Sequence, residues 1–142
     1  MKEILRAAGL VKDYKVPKKD GWFGSDNVRA LDGVSLSVAE GETVAIVGES
    51  GSGKSTLGRM LLRLEKPDAG EVHFEGQELG SLSSGDLRKR RRDMQMVFQD
   101  PYASLDPRWK ADEIVTENLA VHEGLKGERL QEEAARLLAT VG

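Results

Sequence analysis

The residues best suited to chemistry are the nine in a row Gly48-Glu49-Ser50-Gly51-Ser52-Gly53-Lys54-Ser55-Thr56. They fit the pattern G-x-x-x-x-G-K-S/T. Glycines at these positions let the backbone turn sharply and approach an anion without Cβ obstruction. Successive N–H groups then point into one concavity, and a helix that starts there adds partial positive charge. A nucleotide phosphate chain fits such a cradle. Lys54 would reach the β- and γ-phosphates, the Ser55 hydroxyl would ligate Mg²⁺, and Thr56 is a candidate for the α-phosphate. A tight strand-to-helix turn carrying an exposed lysine would show the same letters, so the flanking elements decide between the two.

Those elements agree with a phosphate loop. Residues 43–47 are short, continuous and apolar, as in a strand covered on both faces. Residues 54–64 carry Leu57, Met60, Leu61 and Leu64 at helical spacing. Upstream, 4–14 reads as a first strand and 15–27 as a polar loop. Residues 28–38 alternate, with Val34, Leu36 and Val38 on one face and Ser35 and Ser37 on the other, the period of a half-buried strand. Glu40-Gly41-Glu42 is a turn. Downstream, 67–70 ends the helical unit and 71–75 is a strand candidate. Residues 84–92 read as a capped, charged helix, 94–98 as a strand, 101–107 as a loop, and 111–122 and 128–141 as helices.

Composition excludes several classes of function. The 142 residues suggest roughly one domain and carry 21 basic and 24 acidic side chains, a formal net charge of -3. That balance gives no basic footprint for nucleic acid, and 5% aromatic content leaves little for base stacking along a strand. Without cysteine there is neither a disulfide framework nor a thiolate metal site. The first fourteen residues are broken by Lys2, Glu3, Arg6, Lys12 and Asp13, so they read as no signal peptide. No apolar run is long enough to cross a bilayer, so a membrane role would come through a partner.

The residues around the phosphate loop carry a resemblance. Tyr14 ends the first strand region. Val28-Arg29-Ala30-Leu31-Asp32-Gly33-Val34-Ser35 leads into Glu40-Gly41-Glu42-Thr43. Met94-Gln95-Met96-Val97-Phe98-Gln99-Asp100-Pro101-Tyr102-Ala103-Ser104-Leu105-Asp106-Pro107-Arg108 follows. Together with the Trp22-Phe23-Gly24 loop, these resemble the ATP-binding subunits of ABC importers for dipeptides and oligopeptides, over nearly the whole chain. The resemblance implies an α/β P-loop NTPase of the ABC ATPase type with an antiparallel β-subdomain. It implies that Tyr14 is the aromatic that stacks on adenine. It also implies that Gln99 is the Q-loop glutamine, a Mg²⁺ ligand that places the attacking water. The implied cofactors are ATP and Mg²⁺. The implied partners are a second ATPase subunit and membrane permease subunits, at the inner face of the cell membrane, with no nucleic acid and no direct bilayer insertion.

The same resemblance implies a signature sequence, a strand ending in paired acids and a switch histidine, and none is found among these residues. The expectation is therefore an incomplete ABC ATPase domain. Residues 1–109 would form the β-subdomain and phosphate-loop core through the Q-loop, and 110–142 the start of a helical subdomain. Two features imitate other sites. Asp100 follows an apolar segment and could pass for a magnesium acid, but it stands between Gln99 and Pro101 with no second acid beside it. Arg88-Lys89-Arg90-Arg91-Arg92 could bind phosphates, but it follows a helix start and reads as a solvated face. His73 and His122 are single and receive no role. The competing readings are a compact P-loop enzyme using Asp100, a non-catalytic nucleotide-binding module, and a soluble ABC ATPase of DNA repair or translation.

Overall fold

The computed structural model describes residues 2–18, 25–100 and 105–142. They divide into two compact units, Met1–Leu87 and Arg88–Gly142. The Trp22-Phe23-Gly24 loop and the 101–104 part of the predicted loop lie outside the described residues.

The first unit is built on an antiparallel sheet of order β2-β1-β3-β4. Its strands are β1 (Glu3–Pro17), β2 (Ser25–Ala39), β3 (Ala69–Phe74) and β4 (Gln77–Glu78). β1 is central and pairs with β2 and with β3, Ala7 standing opposite Leu36 on one side and Val72 on the other. The antiparallel β-subdomain expected for 28–38 and 71–75 is therefore formed. β1 and β2 run further than expected, into the 15–27 segment, where Lys15 pairs with Asn27 and Pro17 with Ser25. Polar composition there reflects exposure of the hairpin end, not absence of pairing. A bulge interrupts β1 at Gly9 (φ 60°), whose N–H donates to Ser35 Oγ at 2.9 Å. The serine face of β2 thus satisfies an amide that the irregular ladder leaves over.

The turn at 40–42 is present: Glu42 N–H donates to Ala39 O at 3.1 Å, and the Glu42 carboxylate accepts from Ala39 N at 2.7 Å. After it the expectation fails. Residues 43–47, predicted as a strand covered on both faces, belong to no strand and pair with no described segment. Val47 is 92% exposed. Residues 94–98, also predicted as a strand, are unpaired as well, and Val97 is 86% exposed. An apolar run specifies burial, but a strand also needs a neighbouring backbone to bond. No described segment supplies one to either run.

Helix α1 (Lys54–Leu61) stops short of the predicted Leu64. Arg63 adopts φ 54°, its N–H bonds Met60 O, and Leu64 N–H reaches back to Arg59 O at 2.8 Å. That is a Schellman-type ending, with a non-glycine residue in the left-handed position. α1 buries Leu57 and Met60, and the sheet buries Ala7, Leu10, Leu31 and Val72; with Leu79 they make the core of the first unit.

Helix α2 (Ser84–Arg90) is capped by Ser83, whose Oγ accepts the Asp86 N–H at 3.2 Å. A 3₁₀ turn at Arg91–Asp93 follows. In the second unit, α3 (Ala111–Asn118) continues into a π-helical turn (Leu119–Glu123), and α4 is Glu128–Val141. Glu113 accepts the Lys110 N–H at 2.9 Å and so caps α3. Thr116 of α3 and Ala134 of α4 are buried. Among the described residues, no helix is long and apolar enough to cross a membrane.

Candidate nucleotide site

The phosphate loop is formed as the glycine spacing requires. Gly51 and Gly53 have φ of 82° and 90°, a region that side chains rarely adopt. Ser52 N–H closes a turn onto Glu49 O at 3.2 Å. Gly53 is the N-cap of α1, and Leu57 N–H makes the first helical bond to its carbonyl at 2.8 Å. No side chain caps this end of α1, and its first turn holds no acid. The N–H groups of Lys54, Ser55 and Thr56 have no acceptor one turn earlier within the helix. They are the donors that an anion would meet.

Lys54 is folded over the loop. Its Nζ donates to Gly48 O and Glu49 O, both at 2.6 Å, and to Ser52 Oγ at 3.2 Å. The ammonium is thereby held in the mouth of the turn by neutral oxygens. Gly48, Glu49, Ser50, Gly51, Ser52 and Ser55 are exposed, while Gly53, Lys54 and Thr56 are half-buried.

The sheet buttresses this loop from behind. A Cβ on Gly53 would lie 2.5 Å from Ala30 O and 3.0 Å from Leu31 Cδ2, so strand β2 runs directly against the helix start. Two residues before Ala30 on β2, Val28 pairs with Tyr14 of β1. One strand thus braces the phosphate loop and carries the partner of the predicted adenine-stacking residue. At a strand rise of ~3.3 Å per residue, those two points are about 7 Å apart.

Tyr14 is half-buried and has charged neighbours. Arg29 forks onto Asp13, Nε to Oδ1 at 2.9 Å and Nη2 to Oδ2 at 3.2 Å, and its Nη1 reaches Asp32 Oδ1 at 3.0 Å. The hydrogen bonds donated by Arg29 hold the Asp13 carboxyl below its ordinary range, and the carboxylates of Asp13 and Asp32 that accept them raise the Arg29 pKa above the ordinary guanidinium value. On the ring side, Lys12 Nζ stands 5.5 Å from the Tyr14 centroid. Sequence reasoning gave Lys12 no role; its spacing of two from Tyr14 along a strand was the available signal.

Tyr14 and the residues from Gly48 to Thr56 share the first unit, whereas Gln99 lies in an exposed bend of the second. Asp100 is exposed beside it and follows no strand. The basic run Arg88-Lys89-Arg90-Arg91-Arg92 is partly engaged in ion pairs, Arg90 to Asp93 at 3.2 Å and Arg92 to Glu123 at 3.0 Å. His73 meets Glu71 at 3.2 Å. Among the described residues, no group of three His, Cys, Asp or Glu side chains could hold a metal ion by itself.

The ABC transporter family model matches residues 31–142. The probable peptide ABC transporter ATP-binding protein y4tS of Sinorhizobium fredii is 48% identical over 98% of this chain and 39% of its own length. The dipeptide transport ATP-binding protein DppF of Escherichia coli is 44% identical over 98% of this chain and 41% of its own. The chain thus spans about two fifths of the length of these relatives. Among solved structures, the ATP-binding cassette MJ0796 superposes with a TM-score of 0.77 at 32% identity, covering 96% of this chain and 56% of that one. That structure is a dimer in a post-hydrolysis state bound to ADP and Pi. The fold is that of an ABC ATPase cassette, and the chain belongs to the ABC transporter family.

Proposed function

We propose that the chain is the nucleotide-binding part of an ATPase subunit that powers import of peptides through an ABC transporter. The observation that carries this is the phosphate loop, with Lys54 Nζ held at its mouth by the Gly48 and Glu49 carbonyls and uncapped helix amides behind it. Phosphate oxygens of ATP would replace those carbonyls as partners of Lys54 and accept from the N–H groups of the 51–56 turn. The residues fit the nucleotide and its magnesium. Ser55 stands exposed at the first turn of α1, as a hydroxyl ligand needs. Gln99 is proposed as a carbonyl ligand on the strength of the family resemblance alone. Bound Mg²⁺ would neutralise charge on the phosphates. Tyr14 would stack on the adenine.

The peptide-transport reading is supported by the names of the relatives, which cover nearly all of this chain. In the whole protein the partners would be a second ATPase subunit, as in the MJ0796 dimer, and permease subunits in the membrane. The subunit would lie at the inner face of the cell membrane. Within it, 1–109 would be the β-subdomain and nucleotide core, and 110–142 the start of the helical subdomain. The compact-enzyme alternative loses its support: Asp100 follows no strand.

The test is nucleotide-dependent stabilisation. A ligand at a hundredfold excess over Kd stabilises the folded state by about 2.7 kcal/mol. Mg-ATP should raise the melting temperature of the chain, and Lys54→Ala should remove most of that rise. Gln99→Ala should leave magnesium-free binding intact and reduce its dependence on Mg²⁺. A rise that survives Lys54→Ala would remove the phosphate loop from the reading.

A further inference from the structure

We propose that Lys12 is a positioning residue of the nucleotide site, holding the Tyr14 ring from one face and tying it to the turn that follows α1. This rests on the reading of Tyr14 as the residue that stacks on adenine.

Lys12 and Tyr14 lie two apart on β1 and therefore share a face of the strand. The ammonium stands over the ring at 5.5 Å from its centroid, within the range of a cation–π contact. A surface lysine ordinarily spreads over many rotamers. This one is only 14% exposed and is held by three oxygens: Lys66 O at 2.9 Å, Asp68 Oδ1 at 3.5 Å and Glu65 Oε1 at 3.5 Å. The turn that supplies them is itself stitched to β1. Asp68 N–H donates to Val11 O at 2.9 Å, and Asp68 Oδ2 accepts from Asp13 N at 2.8 Å. One backbone bond and one side-chain bond of Asp68 thus flank Lys12 on both sides. The segment leading out of the phosphate-loop helix grips the strand that bears Tyr14, and Lys12 lies at the grip.

Two consequences follow for a base on the opposite face of the ring. Tyr14 is confined, so less ring freedom is lost when adenine stacks. A parallel stack is also normally penalised because both π-faces are negative. A cation behind one ring draws its electron density away from the other, which eases that repulsion. Both effects act on ligands that carry a base and on no others.

The experiment is calorimetric titration of the purified protein with Mg-ATP and with magnesium tripolyphosphate, which lacks the base. Lys12→Met should weaken ATP binding roughly 2- to 30-fold and leave tripolyphosphate binding unchanged. Lys12→Arg should restore most of the loss. Combined with Tyr14→Ala, Lys12→Met should cost nothing further. Tripolyphosphate binding reports in every variant that the loop is folded. Equal losses for both ligands, or no loss for either, would overturn the proposal. If Tyr14→Ala changes the preference for ATP and Lys12→Met does not, this inference alone falls. If Tyr14→Ala leaves the preference unchanged, the adenine reading falls and takes this one with it.

Discussion

Gly53 and Ala30 are packed backbone to backbone: a methyl group on Gly53 would sit 2.5 Å from the Ala30 carbonyl oxygen. The glycine that opens α1 is therefore demanded twice, by its φ of 90° and by the strand behind it. Gly70 gives a control. It has φ 89°, and a Cβ there would collide with the Gly9 carbonyl, between β3 and β1.

Gly53→Ala and Gly70→Ala should each destabilise the chain by about 1–3 kcal/mol. Only Gly53→Ala should also abolish the response to nucleotide, measured at a temperature where both variants are folded. Equal nucleotide responses in the two would mean that β2 does not set the loop.

What could be read from the sequence divides along the same line. The turn at 48–53 and the start of the helix after it are local, set by neighbouring glycines and helical spacing, so the sequence suffices to predict them. α4 was found at its observed bounds for the same reason, with Leu130, Ala134 and Leu137 on one stripe. Pairing is not local. Residues 43–47 carry the composition of a buried strand but not the partner that would make them one. The 15–17 and 25–27 segments pair despite polar composition, because the hairpin already brings them together. α1 ended early at a left-handed Arg63, a residue type that gives no warning of a stop. Tyr14 and Gln99 were reached by resemblance, and Lys12 by geometry alone.

The Asp13–Arg29 pair predicts an acid limb of stability. Arg29 holds the folded Asp13 carboxyl below its ordinary value of 3.8. A depressed folded pKa stabilises above the unfolded value and ceases to do so as pH falls through the folded one. The contribution is thus present at neutral pH and lost below about pH 4. The pair is exposed, so salt should weaken it. Carboxyl-carbon NMR should find Asp13 titrating below 3.8 and moving back toward it in Arg29→Gln. Identical titrations in the two proteins would sink the assignment. Asp106 should behave likewise toward Arg108.

Exposed apolar backbone predicts association. Val44, Ile46 and Val47 in one unit, and Val97 and Phe98 in the other, present apolar side chains on segments without ladder partners among the described residues. Such segments template pairing with other chains. Sedimentation of the 142-residue chain should therefore depend on concentration, and Val47→Lys and Val97→Lys should each reduce that dependence. A monomer at all concentrations that unfolds in one cooperative transition would contradict this.

The last prediction concerns turnover. The 142-residue chain should bind Mg-ATP and release no phosphate above background. Binding draws on groups that are all in place locally: the turn at 48–53, Lys54, and the Ser55 hydroxyl. Hydrolysis asks for more. Phosphoryl transfer is catalysed by positioning and by neutralising charge, which needs an acid to hold magnesium and a group to orient water. The paired acids and signature that the family resemblance implies are not among these residues. Asp100 is the local substitute, and it follows no strand that could aim it. Phosphate release should be measured for the chain, for Lys54→Ala and for Asp100→Asn. All three should match buffer, while only Lys54→Ala should lose nucleotide binding. Steady turnover that both substitutions abolish would overturn this reading and make Asp100 the magnesium acid of a compact P-loop enzyme.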